Sequence, residues 1–274
     1  MRRLLVGVAI SLATVASVAG ADLPIMNTKA ATYNWTGFYL GGNVGYGWGV
    51  SDTIASLNDP GGGVFATFNP SFSLNGVIGG GQVGYNWQTG KWVSGIEADL
   101  QATGQSGSSG FQGGSANFGC AGGICAFTPS CAGIACFPPG STVTDALSRK
   151  LTWLDTVRGR IGWTMTPTIL GYLTGGVAVA GVSTSGTISG ATTPAIGAFS
   201  SSATHAGWTI GAGIETALGG NWTGKIEYLY VDLGTESGGP FVTPIVAPSG
   251  AFLTSTFSSR LTDNIVRVGL NYRF

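Results

Sequence analysis

Charge is scarce in this chain. Only 9% of its 274 residues are charged, with 12 cations against 12 anions and a single histidine. A soluble domain carries about 25% charged residues, so the polar coat of a water-soluble protein is missing. There is no surplus of cations to hold a phosphate backbone, which excludes nucleic acid as a partner. Long apolar runs are scarce as well: beyond the N-terminal segment nothing reaches the ~20 residues of a membrane-spanning helix. Disorder is excluded, because disordered chains are poor in aromatic residues and this one is 43% hydrophobic and 11% aromatic. What is abundant is glycine, 48 residues, without the Gly-X-Y period of collagen.

The first residues form a leader. Met1-Arg2-Arg3 is a basic start, Leu4 to Val18 is mostly apolar, and Ala19-Gly20-Ala21 before Asp22 has the small-residue pattern of a signal-peptidase site. Cleavage is expected between Ala21 and Asp22. This divides the chain into a signal peptide at 1–21, a periplasmic linker at 22–35 and a barrel domain at 36–274.

The apolar surplus of the remainder must be buried somewhere, and the period says where. Phe38, Leu40, Val44, Tyr46 and Trp48 alternate with Tyr39, Gly41, Asn43, Gly45 and Gly47. Period 2 marks a strand with one apolar and one small or polar face. The pattern recurs and predicts strands near 36–48, 76–87, 92–102, 150–163, 169–181, 205–218, 222–234 and 262–274, each long enough to cross a bilayer at a tilt. The fifth alternates poorly, and its facing is left open. Short turns follow the second, fourth and sixth strands, and long segments follow the first, third, fifth and seventh. That rhythm is the mark of an all-β, eight-stranded antiparallel up-and-down transmembrane barrel with short periplasmic turns and long extracellular loops.

Tryptophan tests this independently. Trp87, Trp92, Trp163 and Trp222 fall at the short-turn ends of strands, and Trp48, Trp153 and Trp208 at the long-loop ends. All seven have the parity of the outward face, as two interfacial aromatic girdles require. The same parity turns Glu97, Asp99, Arg158, Arg160, Glu215, Lys225, Glu227 and Arg267 inward, four anions and four cations. Side chains just fill the bore of an eight-stranded barrel, so these charges are expected to pair across it. A salt-bridged plug and a narrow ion path are both open at this point.

Several stretches also resemble a known family. Trp35-Thr36-Gly37-Phe38-Tyr39-Leu40-Gly41-Gly42-Asn43-Val44-Gly45-Tyr46-Gly47, Thr156-Val157-Arg158-Gly159-Arg160, Lys225 to Gly234 and the ending Val266 to Phe274 resemble the outer-membrane immunogenic protein family. These are small porin-like, opacity-like barrels of Gram-negative bacteria. The resemblance implies an eight-stranded barrel exposed at the cell surface; it does not by itself imply transport. The outward series Val266, Val268, Leu270, Tyr272 and Phe274 resembles the insertion signal read by the barrel-assembly machinery.

The four cysteines, Cys120, Cys125, Cys131 and Cys136, lie together in the third long segment. In an exported chain an even count favours disulfides, with the local pairs Cys120–Cys125 and Cys131–Cys136 as first choice. A metal site is disfavoured because neither His nor carboxylate lies among them. The match of Gly79 to Gly84 to GxGxxG is what chance gives in so glycine-rich a chain. His205 has no serine or acid partner fixed by spacing. Eleven of thirteen phenylalanines sit in the long segments, either packing the loops together or forming a contact surface. Arg149 and Lys150 begin the fourth strand near the outer rim, where lipopolysaccharide phosphates are available.

The expected protein is therefore a monomeric outer-membrane barrel with a structural, surface-exposed role and no catalytic residue, cofactor or metal. Its expected partners are outer-membrane lipids, lipopolysaccharide and the assembly machinery. A narrow porin is the alternative, and a lipid-modifying barrel enzyme the remote one.

Overall fold

The computed structural model describes residues 33–58, 64–68, 71–112, 120–121, 124–125, 143–190, 193–244 and 252–274. Ala21, Asp22, Cys131 and Cys136 fall outside them. In chain order the strands are β1 (Gly37–Asn58), β2 (Val64–Phe68), β3 (Ser71–Thr89), β4 (Trp92–Thr103), β5 (Ser106–Gln112), β6 (Cys120–Ala121), β7 (Ile124–Cys125), β8 (Val143–Thr166), β9 (Ile169–Gly190), β10 (Thr193–Gly219), β11 (Trp222–Pro244) and β12 (Phe252–Arg273).

Eight of them close a ring. Each of β1, β3, β4, β8, β9, β10, β11 and β12 pairs antiparallel with the next, and β12 returns to β1 from Tyr39↔Arg273 to Asn58↔Thr254. Closure leaves no unpaired edge, which matters because an unsatisfied N–H or C=O in lipid costs several kcal/mol. Beyond Thr103 the wall is carried on by β5, which pairs with β8 on one side and touches β3 on the other. The small hairpin of β6 and β7 sets Cys120 opposite Cys125.

The periplasmic turns are tight. Gly90 and Gly220 adopt φ of 62° and 56° in their two-residue hairpin turns, a left-handed conformation for which glycine is the cheap choice. The outer ends differ from the sequence expectation. Strands predicted to stop at the rim run on: β1 continues to Asn58, β9 to Gly190 and β11 to Pro244. Ser106 to Gln112, expected in a loop, is strand β5. Above the membrane the outward face contacts water, so hydroxyl residues replace apolar ones and the period-2 contrast fades while the backbone ladder persists.

Facing follows parity through most of the barrel. Leu40, Val44, Leu100, Val157, Leu173, Val177, Ile214, Ile226 and Val268 point outward and are exposed as a lipid-facing belt. The fifth predicted strand, β9, now has a definite facing: Leu170, Tyr172, Ala178, Ala180 and Val182 are buried while Leu173 and Val177 are exposed. It alternates poorly because apolar residues line both of its faces. Parity breaks at irregularities, on β11 between Asp232 and Thr235 and on β8. A bulge between Leu151 and Trp153 on β8 turns Arg149 inward and leaves Lys150 outside. The pair expected together at the rim is split across the wall.

Candidate functional site: the bore of the barrel

The interior is stacked in layers. At the periplasmic end Trp35, Val93, Leu170 and Tyr172 pack with Tyr33 into an apolar floor. Trp35, assigned by sequence to the linker, is 1% exposed there. It is held by its backbone N–H, which donates to Gln88 Oε1 at 2.8 Å, and Tyr33 N–H donates to the Pro167 carbonyl at 3.1 Å. Tyr33 and Trp35, just before β1, thus cover the periplasmic mouth. Composition alone gave no sign of this, since an isolated Trp near a strand start reads as another girdle residue.

Above the floor lies the charged layer. Glu97, Asp99, Arg158, Arg160, Glu215, Lys225, Glu227 and Arg267 all point inward and are at most 5% exposed. They come from five strands (β4, β8, β10, β11 and β12), and the structure brings all eight into one network. Glu97 is its hub. Arg158 Nη2 lies 2.5 Å from Glu97 Oε1, Lys225 Nζ 2.9 Å, Arg267 Nη2 3.6 Å, and Arg160 Nη1 3.7 Å from Oε2. Asp99 takes Arg158 at 2.7 Å and Arg267 at 3.2 Å. Glu227 takes Arg267 at 2.5 Å and Arg158 at 3.2 Å, and Glu215 takes Arg160 at 2.7 Å.

Neutral groups complete the layer. Tyr39 Oη donates to Glu97 at 2.7 Å and Tyr172 Oη to Glu227 at 2.9 Å. The Arg160 guanidinium lies over the Tyr172 ring at 4.0 Å, a cation–π contact out of water. Thr156 donates to Asp99 at 2.6 Å and Thr223 to Glu215 at 2.6 Å. A polar chain from Asn43 to Gln82 to Asn271 to Glu215 adds β1 and β3, so every barrel strand reaches the network. Room is made by glycine. A Cβ on Gly213 would lie 2.5 Å from Tyr172 Oη, and one on Gly84 would collide with Tyr39. Parity already turned Tyr39, Asn43, Gln82 and Asn271 inward, but without charge nothing singled them out.

Next comes an apolar layer of Leu74, Ile78, Leu151, Leu154, Ala178, Ala180, Val182, Leu229, Val231, Leu233, Leu261 and Ile265. One polar strut crosses it: Gln105 Nε2 donates to Asp263 Oδ2 at 2.9 Å, lying over side-chain-less Gly47. Above it Arg149 pairs with Glu236 at 2.9 Å and donates to Ser51 at 2.8 Å, Ser259 at 2.6 Å and Thr184 at 3.2 Å. Burial lowers the affinity of Arg149 for its proton, and Glu236 works against that. Sequence reasoning missed this cluster because the bulge, which reverses parity, leaves no mark in composition.

Outside, the indoles of Trp87, Trp92, Trp163 and Trp222 ring the periplasmic end, and Trp48 and Trp208 the outer end, all outward and exposed. Trp153 is also outward but half-buried, its indole lying over Gly181. Trp92 and Trp163 meet edge to face at 4.8 Å, and Trp222 meets Tyr272 at 5.2 Å. Val266, Val268, Leu270 and Phe274 are exposed on the outer face of β12, with Tyr272 half-buried beside them. Tyr272 and Phe274 meet edge to face at 5.2 Å, and Phe274 meets Phe38 at a tilt at 5.8 Å, where the last strand meets the first.

A closed antiparallel ring with an apolar exterior, aromatic girdles and a polar interior is the architecture of an outer-membrane barrel, and the comparison by sequence agrees. The outer membrane protein beta-barrel domain family matches residues 9–274. The chain belongs to this family and resides in the outer membrane. A 31 kDa outer-membrane immunogenic protein of Brucella melitensis biotype 1 is 38% identical over 146 residues, covering 49% of this chain and 55% of that protein. The chain thus spans about half the length of that relative. A 22 kDa outer membrane protein of Rhizobium leguminosarum bv. viciae is 27% identical over 241 residues, 88% of this chain and 79% of its own. A 25 kDa outer-membrane immunogenic protein of Brucella abortus biovar 1 is 24% identical over 249 residues, covering 89% and 82%.

Proposed function

We propose that the barrel is a sealed structural element of the outer membrane that holds its outer loops at the cell surface as a contact and antigenic surface, and that it does not conduct solutes. One observation carries this reading: eight ionisable side chains that would line a channel are each at most 5% exposed. A water-filled bore keeps its lining wet. Here the charges are bonded to one another between an apolar floor and an apolar layer above. The immunogenic designation of the relatives is in keeping with displayed loops.

The reading includes no chemistry. His205 Nε2 lies 3.4 Å from Glu236 Oε2 and accepts no hydrogen bond from a hydroxyl among the described residues, so the serine–histidine pair of an ester hydrolase is unbuilt. Partners on this reading are outer-membrane lipid around the belt and, during insertion, the assembly machinery at β12. The barrel acts as a monomer.

The test is electrical. The mature protein, refolded and inserted in a planar bilayer, is expected to show no stable openings above background. Long-lived, reproducible conductance steps would overturn the sealed reading and make the protein a narrow porin.

A further inference from the structure

Above the outer girdle, the outward face of four neighbouring strands carries two complete rows of polar side chains in register. Ser106 on β5 is opposite Lys150 on β8, Lys150 opposite Ser183 on β9, and Ser183 opposite Ser202 on β10. In the next row outward, Ser108, Ser148, Ser185 and Ser200 align in the same way. Seven of the eight are exposed and Ser183 is half-buried, with its Oγ 2.9 Å from Ser202 Oγ. Strand spacing makes this a lattice about 14 Å wide with rows about 7 Å apart. It holds seven hydroxyls, one ammonium, no aliphatic side chain and no carboxylate. Directly below, on the same wall, Trp153 and Trp208 mark the interface and Val157, Leu173 and Val177 the lipid belt.

Rigid β backbone fixes these hydroxyls before any partner arrives, which lowers the ordering cost of contact. A protein partner is a poor match, because protein interfaces draw their energy from buried aromatic and other large anchors. Nucleic acid is a poor match too, since it needs many cations. We propose that this wall is a glycan-contact surface for the sugar part of the outer-leaflet glycolipid, lipopolysaccharide. The acyl chains lie on the belt below, the core sugars lie across the two hydroxyl rows, and Lys150 meets a phosphate. This goes beyond the sealed-barrel reading and does not depend on it.

The full mature chain, refolded in detergent, is incubated with rough-type lipopolysaccharide (lipid A plus core sugars) or with lipid A alone, and retained glycolipid is counted by native mass spectrometry. At least fivefold greater retention of the sugar-bearing form is expected. The variant combining Ser148→Ala, Ser183→Ala, Ser185→Ala and Ser202→Ala should fall to the lipid A level, while Thr235→Ala with Ser237→Ala on β11 keeps wild-type retention. Heat-modifiable gel mobility establishes that each variant is folded; should the quadruple variant fail to fold, Lys150→Gln alone is expected to lower retention at least twofold. Equal retention of the two glycolipids, or an unchanged count in the serine variant or in Lys150→Gln, overturns the proposal. So does a matching loss in the β11 control, and so does glycolipid-independent dimerisation through this wall.

Discussion

The lower and upper parts of the bore are filled on opposite principles. Below, eight charged groups from five strands are locked by directional bonds around Glu97. Above, leucine, isoleucine, valine and alanine fill the same cross-section by contact, crossed by the strut from Gln105 to Asp263. Both close the barrel, yet they respond differently to change. An apolar layer loses the transfer and cavity energy of what is removed. A charged layer loses more, because the partner left behind is a buried ion without compensation. Replacing a whole ion pair by apolar groups can be nearly neutral for the same reason. The charged layer therefore makes the stricter demand on geometry, and the apolar layer contributes burial with less demand on it.

The largest expected effect is in the charged layer. Arg158→Ala removes the cation that Glu97, Asp99 and Glu227 share, leaving the buried layer one positive charge short, and should cost about 3–5 kcal/mol, seen as a lower urea midpoint of the refolded barrel in detergent. Leu229→Ala, in the apolar layer, should cost about 2–4 kcal/mol by the same measurement; a larger loss than for Arg158→Ala would reverse the contrast. A sharper version uses the Arg267–Glu227 pair at 2.5 Å. Arg267→Met combined with Glu227→Met should destabilise less than Arg267→Met alone, and simple additivity would mean that the unpaired ion is not what costs. Conductance of Arg158→Ala should stay at background, since the apolar layer still closes the bore; new openings would show that the charges alone are the seal. The smallest effects concern glycine. Gly213→Ala, whose Cβ would press on Tyr172, should lose about 1–3 kcal/mol. Gly42→Ala, whose Cβ meets only the Gly80 carbonyl at 3.7 Å, should stay within about 0.5 kcal/mol.

Much of this was open to inspection in the sequence because two-fold alternation ties residue parity to a face of the wall. Strand number, the outward girdles of Trp48, Trp87, Trp92, Trp163, Trp208 and Trp222, the eight inward charges and the outward face of β12 all follow from counting by two. Where counting fails, there is a local reason. At Arg149 a bulge inserts a residue and reverses parity. In β9 both faces are apolar, and above the rim both environments are polar, so alternation loses contrast while the strand continues. The disulfide expectation rests partly on Cys131 and Cys136, outside the described residues, and most loop phenylalanines carry no described side chain.

By itself, the sequence determined the barrel: low charge, period-2 patterning and turn rhythm admit one architecture in a membrane, because only a closed ring satisfies every backbone group there. It also determined which charges point inward, since parity is a local property of a strand. Only the tertiary structure decided who meets whom. That Glu97 gathers Arg158, Arg160, Lys225 and Arg267, that Trp35 closes the floor and that Gln105 reaches Asp263 depend on strand register and on the curvature of the closed wall. These set distances between residues far apart in sequence, and no local pattern encodes them.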